Sequence, residues 1–413
     1  MKTHATAAAA ASIASTVLLA LACALPCPAR AGEPRARDLG VPFDGEPGPL
    51  NAITDVAGVG VGFATLVRDT ADGHAVRTGV TAILPRGKSR TRSIGAACTL
   101  NGNGELTGTH WVNESGLLES PILLTNTHSV GVVHDAVIAW GNRRFPPQPG
   151  GMLSEAFSLP VVGETYDGFL NDINGHHVKP EHVFAALDGA RSGPVAEGSV
   201  GGGTGMVCGE WKCGIGTSSR RISVRGSDDA PAREYTVGAL VQANYGRRPE
   251  LRILGVPVGR EIPDLLPLTP GPRKDGSILV VLGTDAPLLP HQIARLCRRA
   301  SLGLARTGSV SRQTSGDLFI AFGPAEPPVD KDGLQRFPTL PNDALDPLLV
   351  AAVQATEEAI LNALVAGETL VGINGNTVYG LPHDRLKAVL RKYGIGAPPA
   401  PASAPAPAPA PAH

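Results

Sequence analysis

The chain has no excess of charge of either sign and no cluster of basic residues. Its 36 Lys and Arg residues nearly balance its 37 Asp and Glu residues, so the formal net charge is -1. Proteins that bind nucleic acid carry a basic patch or stripe that neutralises phosphate charge. The composition therefore argues against nucleic acid as a partner.

Several motifs of common catalytic sites are also missing. The glycine-rich run at residues 201–205 is not followed by Gly-Lys-Ser/Thr and does not have dinucleotide-binding spacing. The histidines His128, His134, His176, His177 and His182 lack the i, i+4 spacing of a helical metalloprotease motif. Residues 216–219 do not supply the Gly-x-Ser-x-Gly turn of a Ser-His-Asp hydrolase. Nucleotide binding, metal catalysis and a serine triad are therefore not indicated.

The first residues are typical of an export signal. A basic start at Lys2 precedes an Ala/Val/Leu run over residues 7–25 and a small-x-small cleavage site at residues 29–31. Two early prolines and few bulky apolar residues argue against a membrane-spanning helix. We therefore expect a signal peptide over residues 1–31 and a periplasmic or secreted mature protein, with no membrane contact in the mature form. Lipid attachment at Cys23 is the alternative, and no later stretch approaches the length of a membrane span.

Cysteine is scarce after this leader. Only Cys98, Cys208, Cys213 and Cys297 remain in the mature chain. An exported protein can hold a disulfide, and Cys208 with Cys213 is the short-range candidate. Buried unpaired thiols behave as small apolar side chains, and this interpretation is slightly favoured. A zinc site is not indicated, because the close pair has no partner pair at ligand spacing.

The chain between residues 32 and 396 has no internal repeat and no low-complexity linker, so a single domain is the simplest prediction. Its 51 Gly and 37 Pro residues favour tight turns and short strands over a helical bundle. Residues 397–413 alternate Pro and Ala, which predicts an extended, disordered tail.

Periodic apolar patterns predict both strands and helices. Amphipathic helices are predicted at residues 288–306 and 345–366, the second ending before Gly367. Strands under long amphipathic helices give a layered α/β architecture. The predicted strands cover residues 59–63, 79–84, 236–244, 278–282 and 318–322.

The Gly276–Ser277 bond lies directly before one of these apolar strands. Asp-Gly-Ser before a strand is usually only a turn. If the bond is cut, however, Ser277 becomes an N-terminus that carries both a hydroxyl and a free α-amine. An α-amine has a pKa of about 7.7–8.0, so it can act as the base for its own hydroxyl.

Ordered blocks along the mature chain resemble one family. They include Gly-Asn-Gly-Glu-Leu-Thr-Gly at residues 102–108, Glu-Thr-Tyr-Asp-Gly at 164–168 and Asp-Gly-Ser at 275–277. The other blocks lie at residues 53–56, 126–131, 170–174, 201–206, 214–220, 241–246, 284–288 and 315–317. On these blocks the chain resembles the L-aminopeptidase / D-esterase family of self-cleaving N-terminal-nucleophile hydrolases, which includes the β-aminopeptidases.

The resemblance implies a four-layer αββα sandwich of the N-terminal-nucleophile aminopeptidase and ornithine acetyltransferase-like type. It implies that the precursor cuts itself between Gly276 and Ser277 into parts 32–276 and 277–396 that stay together. The enzyme would then hydrolyse small peptides or amino-acid amides and esters after an unblocked N-terminal residue. No metal or organic cofactor is implied, and homo-oligomers, often tetramers of two-chain protomers, are typical of the family.

The resemblance also assigns roles to individual residues. Asn244 would stabilise the oxyanion, Tyr166 would lie near the reacting carbonyl, and Glu164 would hold the substrate's ammonium group. Ser315 and Asp317 lie two residues apart, so on a strand they share a face, beside the α-amine of Ser277. For each of these residues, an ordinary turn, capping or surface position is the alternative. Substrate choice would depend on the loops around Trp111, Tyr166 and residues 201–205.

Two other functions stay open from the sequence. Acyl transfer of the ornithine acetyltransferase type is one, although that group uses threonine and position 277 is serine. A non-catalytic exported binding protein is the other, and it predicts an uncut chain. Whether the substrate is an L-α-, D- or β-amino acid derivative is not decided by the sequence.

Overall fold

The computed structural model describes residues 34–146, 157–225, 231–268 and 276–396. The predicted signal peptide at 1–31, Asp275 of the turn before Gly276, and the predicted tail at 397–413 lie outside the described residues. The predictions made for them therefore stay predictions.

A four-stranded sheet forms one inner layer of the described chain, in the order β1-β2-β5-β6. All neighbours are antiparallel except β5 and β6, which are parallel. Its strands are β1 (Gly60–Asp69), β2 (Ala75–Lys88), β5 (Ile122–Asn126) and β6 (Val161–Thr165).

A six-stranded sheet forms the second inner layer, in the order β4-β3-β12-β11-β10-β9. In this sheet only β11 and β12 run parallel. Its strands are β3 (Ser93–Gly102), β4 (Leu117–Leu118), β9 (Ile215–Val224), β10 (Arg233–Asn244), β11 (Ser277–Thr284) and β12 (Gly316–Ala325). Two short hairpins lie outside the sheets: β7 (Val207–Cys208) with β8 (Trp211–Lys212), and β13 (Leu370–Val371) with β14 (Thr377–Val378).

Helices cover the outer face of each sheet. The smaller sheet packs against α2 and α3, and the larger sheet packs against α5, α6 and α7. The helices are α1 (Thr109–Ser115), α2 (Val130–Arg144), α3 (Pro180–Gly189), α4 (Val258–Glu261), α5 (Pro290–Arg298), α6 (Ala300–Arg306), α7 (Asp346–Val365) and α8 (His383–Lys392).

Strand β11 shows why this arrangement needs a continuous apolar run. Ile278, Val280 and Leu282 pack into the core under the helices, whereas Leu279 and Val281 pack into the core between the two sheets. Successive side chains of a strand point to opposite faces, so a strand covered on both faces must be apolar throughout. This confirms the four-layer αββα prediction and the five predicted strands.

One of the two helix predictions needs a small correction. Residues 288–306 form two segments, α5 and α6, because the N–H groups of Arg299 and Leu302 bond to carbonyls three residues earlier, which tightens the chain at the junction. The second helix is α7, as expected. Within the described residues, the segment Asn342–Val365 is long and apolar enough to cross a membrane. This differs from the expectation that no stretch after the leader approaches the length of a membrane span. However, 89% of the apolar part of this segment is buried inside the protein.

The preference for free thiols at Cys208 and Cys213 was wrong, because these two residues form a disulfide. The turn between β7 and β8 consists of Gly209 and Glu210, with φ of 55° and 60°. Positive φ at both central residues is the tight turn that suits a two-residue hairpin loop. This turn folds the chain back and brings the two cysteines together. Cys98 and Cys297 are free.

A buried charge cluster fastens the first described residues to helix α7. The carboxylate of Glu358 accepts hydrogen bonds from Arg37 at 2.7 and 2.8 Å and from Asn51 at 2.6 Å, and it lies 2.7 Å from Arg220. Burial alone would raise the pKa of Glu358, but these partners outweigh it and hold the pKa below its usual value. The cluster thus joins residues on both sides of Gly276.

Candidate active site

The ends of three neighbouring strands meet at one edge of the larger sheet. Antiparallel pairing of β10 with β11 places Asn244 opposite Ser277. Parallel pairing of β11 with β12 places Asp317 beside Ile278. The predicted residues Asn244, Ser277, Ser315 and Asp317 are therefore neighbours in space, although up to 73 positions separate them in the chain.

The hydroxyl of Ser277 is buried and held by a backbone donor. The N–H of Gly316 donates to the Ser277 Oγ at 3.0 Å. A Cβ at position 316 would lie 2.2 Å from the Asn103 carbonyl oxygen and 3.0 Å from the Ser277 Oγ. Gly316 is thus needed for this close approach to the hydroxyl.

Gly276 is needed for a similar reason. A Cβ there would lie 1.7 Å from the carbonyl oxygen of Asn244 and 2.9 Å from the Asn244 Nδ2. Close approach to the end of strand β10 therefore requires a glycine at position 276. Gly276 therefore lies beside the carbonyl and the side-chain amide of Asn244.

Ser315 and Asp317 form a chain of polar groups that reaches the Gly276 carbonyl. The Ser315 Oγ lies 2.7 Å from the Gly276 carbonyl oxygen and 2.7 Å from the Asp317 Oδ1. A serine hydroxyl has one proton, so it cannot donate to both oxygens at once. If Asp317 is protonated, it donates to Ser315, and Ser315 donates to the Gly276 carbonyl.

The surroundings of Asp317 favour its protonated form more than exposure to solvent would. Burial raises the pKa of the Asp317 carboxyl, and hydrogen bonds from Ser311, Ser315 and the backbone N–H of Ile278 oppose this rise only in part. The Asp317 carboxyl is within hydrogen-bond distance of the hydroxyls of both Ser311 and Ser315. Ser315 itself lies just before β12, not within the strand.

The side-chain amide of Asn244 has two fixed partners. Its Oδ1 accepts from the N–H of Val207 at 2.9 Å, and its Nδ2 donates to the carbonyl of Tyr166 at 3.0 Å. Tyr166 therefore contacts the site through its main chain. Its side chain is 52% exposed, and its hydroxyl packs at Gly168, where an added Cβ would lie only 2.4 Å away.

Glu164 is buried in strand β6, so it is not a solvated surface residue. Its Oε1 accepts from the N–H of Glu105 at 3.1 Å, and the Thr127 hydroxyl donates to its Oε2. Burial raises the pKa of Glu164, and these two bonds oppose the rise. Both partners are neutral groups, which leaves the carboxylate charge free to attract a cation.

A second acidic residue lies three positions further along. Asp167 is fully buried, and burial raises its pKa to about 7 despite hydrogen bonds from Thr78 and Asn171. The charge of Glu164 contributes to this rise. Trp111, by contrast, is 40% exposed on α1, and none of the contacts found among the described residues joins its side chain to Ser277.

Three supporting residues were not predicted from the sequence. The Asn101 Nδ2 donates to the carbonyl of Ser315 at 2.6 Å, and the Asn103 Nδ2 donates to the carbonyl of Thr314 at 2.7 Å. Ser311 donates to Asp317. The pair of asparagines two positions apart at the end of a strand was a usable signal, whereas Ser311 had none. Together they hold the loop that places Ser315.

A buried serine hydroxyl at the start of an apolar strand of an αββα sandwich, with no histidine bonded to it among the described residues, is the arrangement of an N-terminal-nucleophile hydrolase. The family model of peptidase family S58 matches residues 51–378. The chain belongs to this peptidase family, and it is an N-terminal-nucleophile serine aminopeptidase.

Named relatives agree with this assignment. The chain is 51% identical to the beta-peptidyl aminopeptidase BapA of Sphingosinicella microcystinivorans over 88% of this chain and 94% of that protein. Its fold matches the L-aminopeptidase D-Ala-esterase/amidase of Ochrobactrum anthropi with a TM-score of 0.80 and 45% identity, over 88% of this chain and 100% of that one. A beta-aminopeptidase of Burkholderia sp. matches with a TM-score of 0.77 and 46% identity, over 89% and 100%.

Substitution of Gly316 tests how tightly the Ser277 hydroxyl is held. We expect Gly316→Ala to lower aminopeptidase kcat by about 100-fold, because the new Cβ displaces the hydroxyl and such small misplacements are that costly. The control is Gly141→Ala on helix α2, where an added Cβ meets no atom within 4 Å. Steady-state assays of both variants check this, and equal activities would contradict the assigned geometry.

Proposed function

We propose that this protein cuts its own Gly276–Ser277 bond and then uses Ser277 as the nucleophile of a peptidase. The observation that carries this proposal is the pair of contacts on either side of the bond. Gly316 holds the Ser277 Oγ at 3.0 Å, and Ser315 lies 2.7 Å from the carbonyl oxygen that must be polarised.

The cleavage step would proceed as an acyl shift. The Ser277 Oγ attacks the Gly276 carbonyl carbon, the Asp317–Ser315 chain supplies a hydrogen bond to its oxygen, and the C–N bond breaks as the nitrogen takes up the hydroxyl proton. Water then hydrolyses the resulting ester, leaving a Gly276 carboxylate and a free Ser277 α-amine. Balanced in this way, the step needs no other reactant than water.

The same groups would serve substrate hydrolysis. The α-amine accepts the proton of the Ser277 hydroxyl as it attacks the substrate carbonyl, and the proton then passes to the leaving amine. The Asn244 Nδ2, which lies beside this position, would donate to the oxyanion. Ser315 and Asp317 would orient the α-amine, and water would release the acyl group from Ser277.

We propose that Glu164 binds the ammonium group of an unblocked N-terminal residue. Its carboxylate is buried, its hydrogen-bond partners among the described residues are neutral, and it lies near the fully buried Asp167. A buried carboxylate gains most from a fixed cation, and an acylated amine cannot supply that charge. This site would make the enzyme an aminopeptidase and exclude blocked substrates.

For the N-terminal residue itself we propose a β-amino acid. The relatives from Sphingosinicella and Burkholderia are a beta-peptidyl aminopeptidase and a beta-aminopeptidase. The Ochrobactrum relative is an L-aminopeptidase and D-Ala-esterase/amidase, so L-α-residues and D-alanine amides are the second candidates. Trp111 remains a proposed substrate contact beyond Glu164, and Tyr166 remains the proposed polar group near the reacting carbonyl.

We further propose export to the periplasm or the medium, with loss of residues 1–31. The Cys208–Cys213 disulfide supports an oxidising compartment, because such bonds rarely persist in the cytosol. Homo-oligomerisation also stays a proposal. Family membership favours hydrolysis over the acyl transfer and the non-catalytic binding that the sequence left open.

A panel of matched amides tests both the reaction and the role of Glu164. We expect hydrolysis of β-alanyl amides, no hydrolysis of N-acetyl-β-alanyl amides, and no activity of Ser277→Ala on either. Glu164→Gln should raise the KM for the free amine by about 10- to 100-fold, since hydrogen bonds to charged groups contribute about 1.5–3 kcal/mol. Glu181→Gln, on an exposed part of α3, is the matched control.

The pH profile gives a further check on the same variant. The pKa of Glu164 is raised above that of an ordinary glutamate, which is about 4.3. As the pH decreases, kcat/KM of the wild type should therefore begin to fall at a higher pH than it would with an ordinary glutamate. Glu164→Gln should lose this limb of the profile. Equal rates on acetylated and free substrates, or an unchanged KM, would contradict the role of Glu164.

A further inference from the structure

The disulfide hairpin β7–β8 contacts the proposed oxyanion group directly. Val207, which precedes Cys208, donates its N–H to the Asn244 Oδ1 at 2.9 Å. We propose that Val207 is a positioning residue for Asn244, and that the Cys208–Cys213 disulfide keeps it in place. This inference rests on the proposed role of Asn244 in catalysis.

The Val207 contact fixes which way the Asn244 amide points. A backbone N–H can donate only to an acceptor, so it selects the oxygen of the amide and turns the nitrogen to the opposite side. On that side the Nδ2 donates one proton to the Tyr166 carbonyl and lies beside Gly276. Its second proton is available for an oxyanion. If the amide turned over, Oδ1 would face the oxyanion and repel it.

The hairpin follows the end of strand β10 closely. The Gly209 N–H donates to the Tyr245 carbonyl at 2.7 Å, one residue after Asn244. The Cys213 N–H donates to the Met206 carbonyl at 3.1 Å and closes the base of the hairpin. Val207 is thus held from both sides, by its pairing with Lys212 and by Asn244.

Each strand of the hairpin has only two residues. Isolated two-stranded hairpins are marginally stable, and this one is held from outside by Arg248, which donates to the carbonyls of Gly209 and Glu210. The disulfide adds a covalent constraint between the residue after Val207 and the residue after Lys212. The disulfide therefore acts at a distance of one residue from the atom that orients Asn244.

The expected signature of this arrangement is a change in kcat without a change in KM. Glu164, which would bind the substrate's ammonium group, lies on β6 of the other sheet, and its hydrogen-bond partners Glu105 and Thr127 lie outside the hairpin. A looser Asn244 should weaken oxyanion stabilisation, which is felt in the transition state and not in substrate binding.

The test compares wild type with the double variant Cys208→Ala/Cys213→Ala on a β-alanyl amide and an L-alanyl amide. Rates are referred to the amount of free Ser277 N-terminus, so that incomplete self-cleavage does not lower them. We expect kcat to fall about 10-fold, less than the 10²- to 10³-fold loss for removal of an oxyanion donor, with KM unchanged within about twofold. Cys98→Ala, which removes a free thiol elsewhere, is the control.

A double-mutant cycle distinguishes positioning from general destabilisation. In an Asn244→Ala background, removal of the disulfide should have no further effect on kcat, because its target is gone. If the double cysteine variant does not fold, processed wild-type enzyme is treated with a dithiol reductant until two additional thiols are titrated, and kcat is measured again.

The possible outcomes distinguish failure of the positioning role from failure of the proposed function. A kcat that is unchanged without the disulfide, or that falls equally in the Asn244→Ala background, would overturn the positioning role. A folded wild-type protein that has its disulfide but no activity on any of the amides would instead overturn the proposed function, and the inference with it. A fall in kcat confined to proteins with Asn244 supports the inference.

Discussion

The pairing register of β10, β11 and β12 determines where Asn244, Ser277 and Asp317 lie relative to one another. Because Asn244 pairs with Ser277 and Asp317 pairs with Ile278, a hydroxyl, a side-chain amide and a carboxyl meet at one sheet edge. A shift of one residue would turn each of these side chains to the opposite face of the sheet. The apolar side chains of β11 fill the cores on both faces of the sheet.

The two glycines at this edge allow the strands to approach closely enough. Gly276 leaves room for Asn244, and Gly316 leaves room for Ser277. Elsewhere, the structure joins the segments on either side of Gly276 through core strands and through the cluster of Glu358 with Arg37 and Arg220. Self-cleavage at Gly276 would therefore break one covalent bond while the sheet pairing and the buried charges keep the two parts together.

Much of this could be predicted from the sequence. The five strands and α7 follow from apolar periodicity, and family blocks identified Ser277, Asn244, Ser315 and Asp317 as a group. The disulfide was not predicted, because it depends on a tight turn with positive φ at Glu210, a residue with no turn preference of its own. The partners of Asn244 are the main-chain groups of Val207 and Tyr166, and main-chain contacts have no residue-type signal.

The central claim is that Ser277 becomes an N-terminus. The most direct test is the intact mass of the purified wild-type protein under denaturing conditions, with N-terminal sequencing of each component. The account predicts two fragments that break between Gly276 and Ser277, the smaller beginning Ser277-Ile278-Leu279-Val280. A single uncut chain with full aminopeptidase activity would contradict it, because the α-amine that serves as base would then not exist.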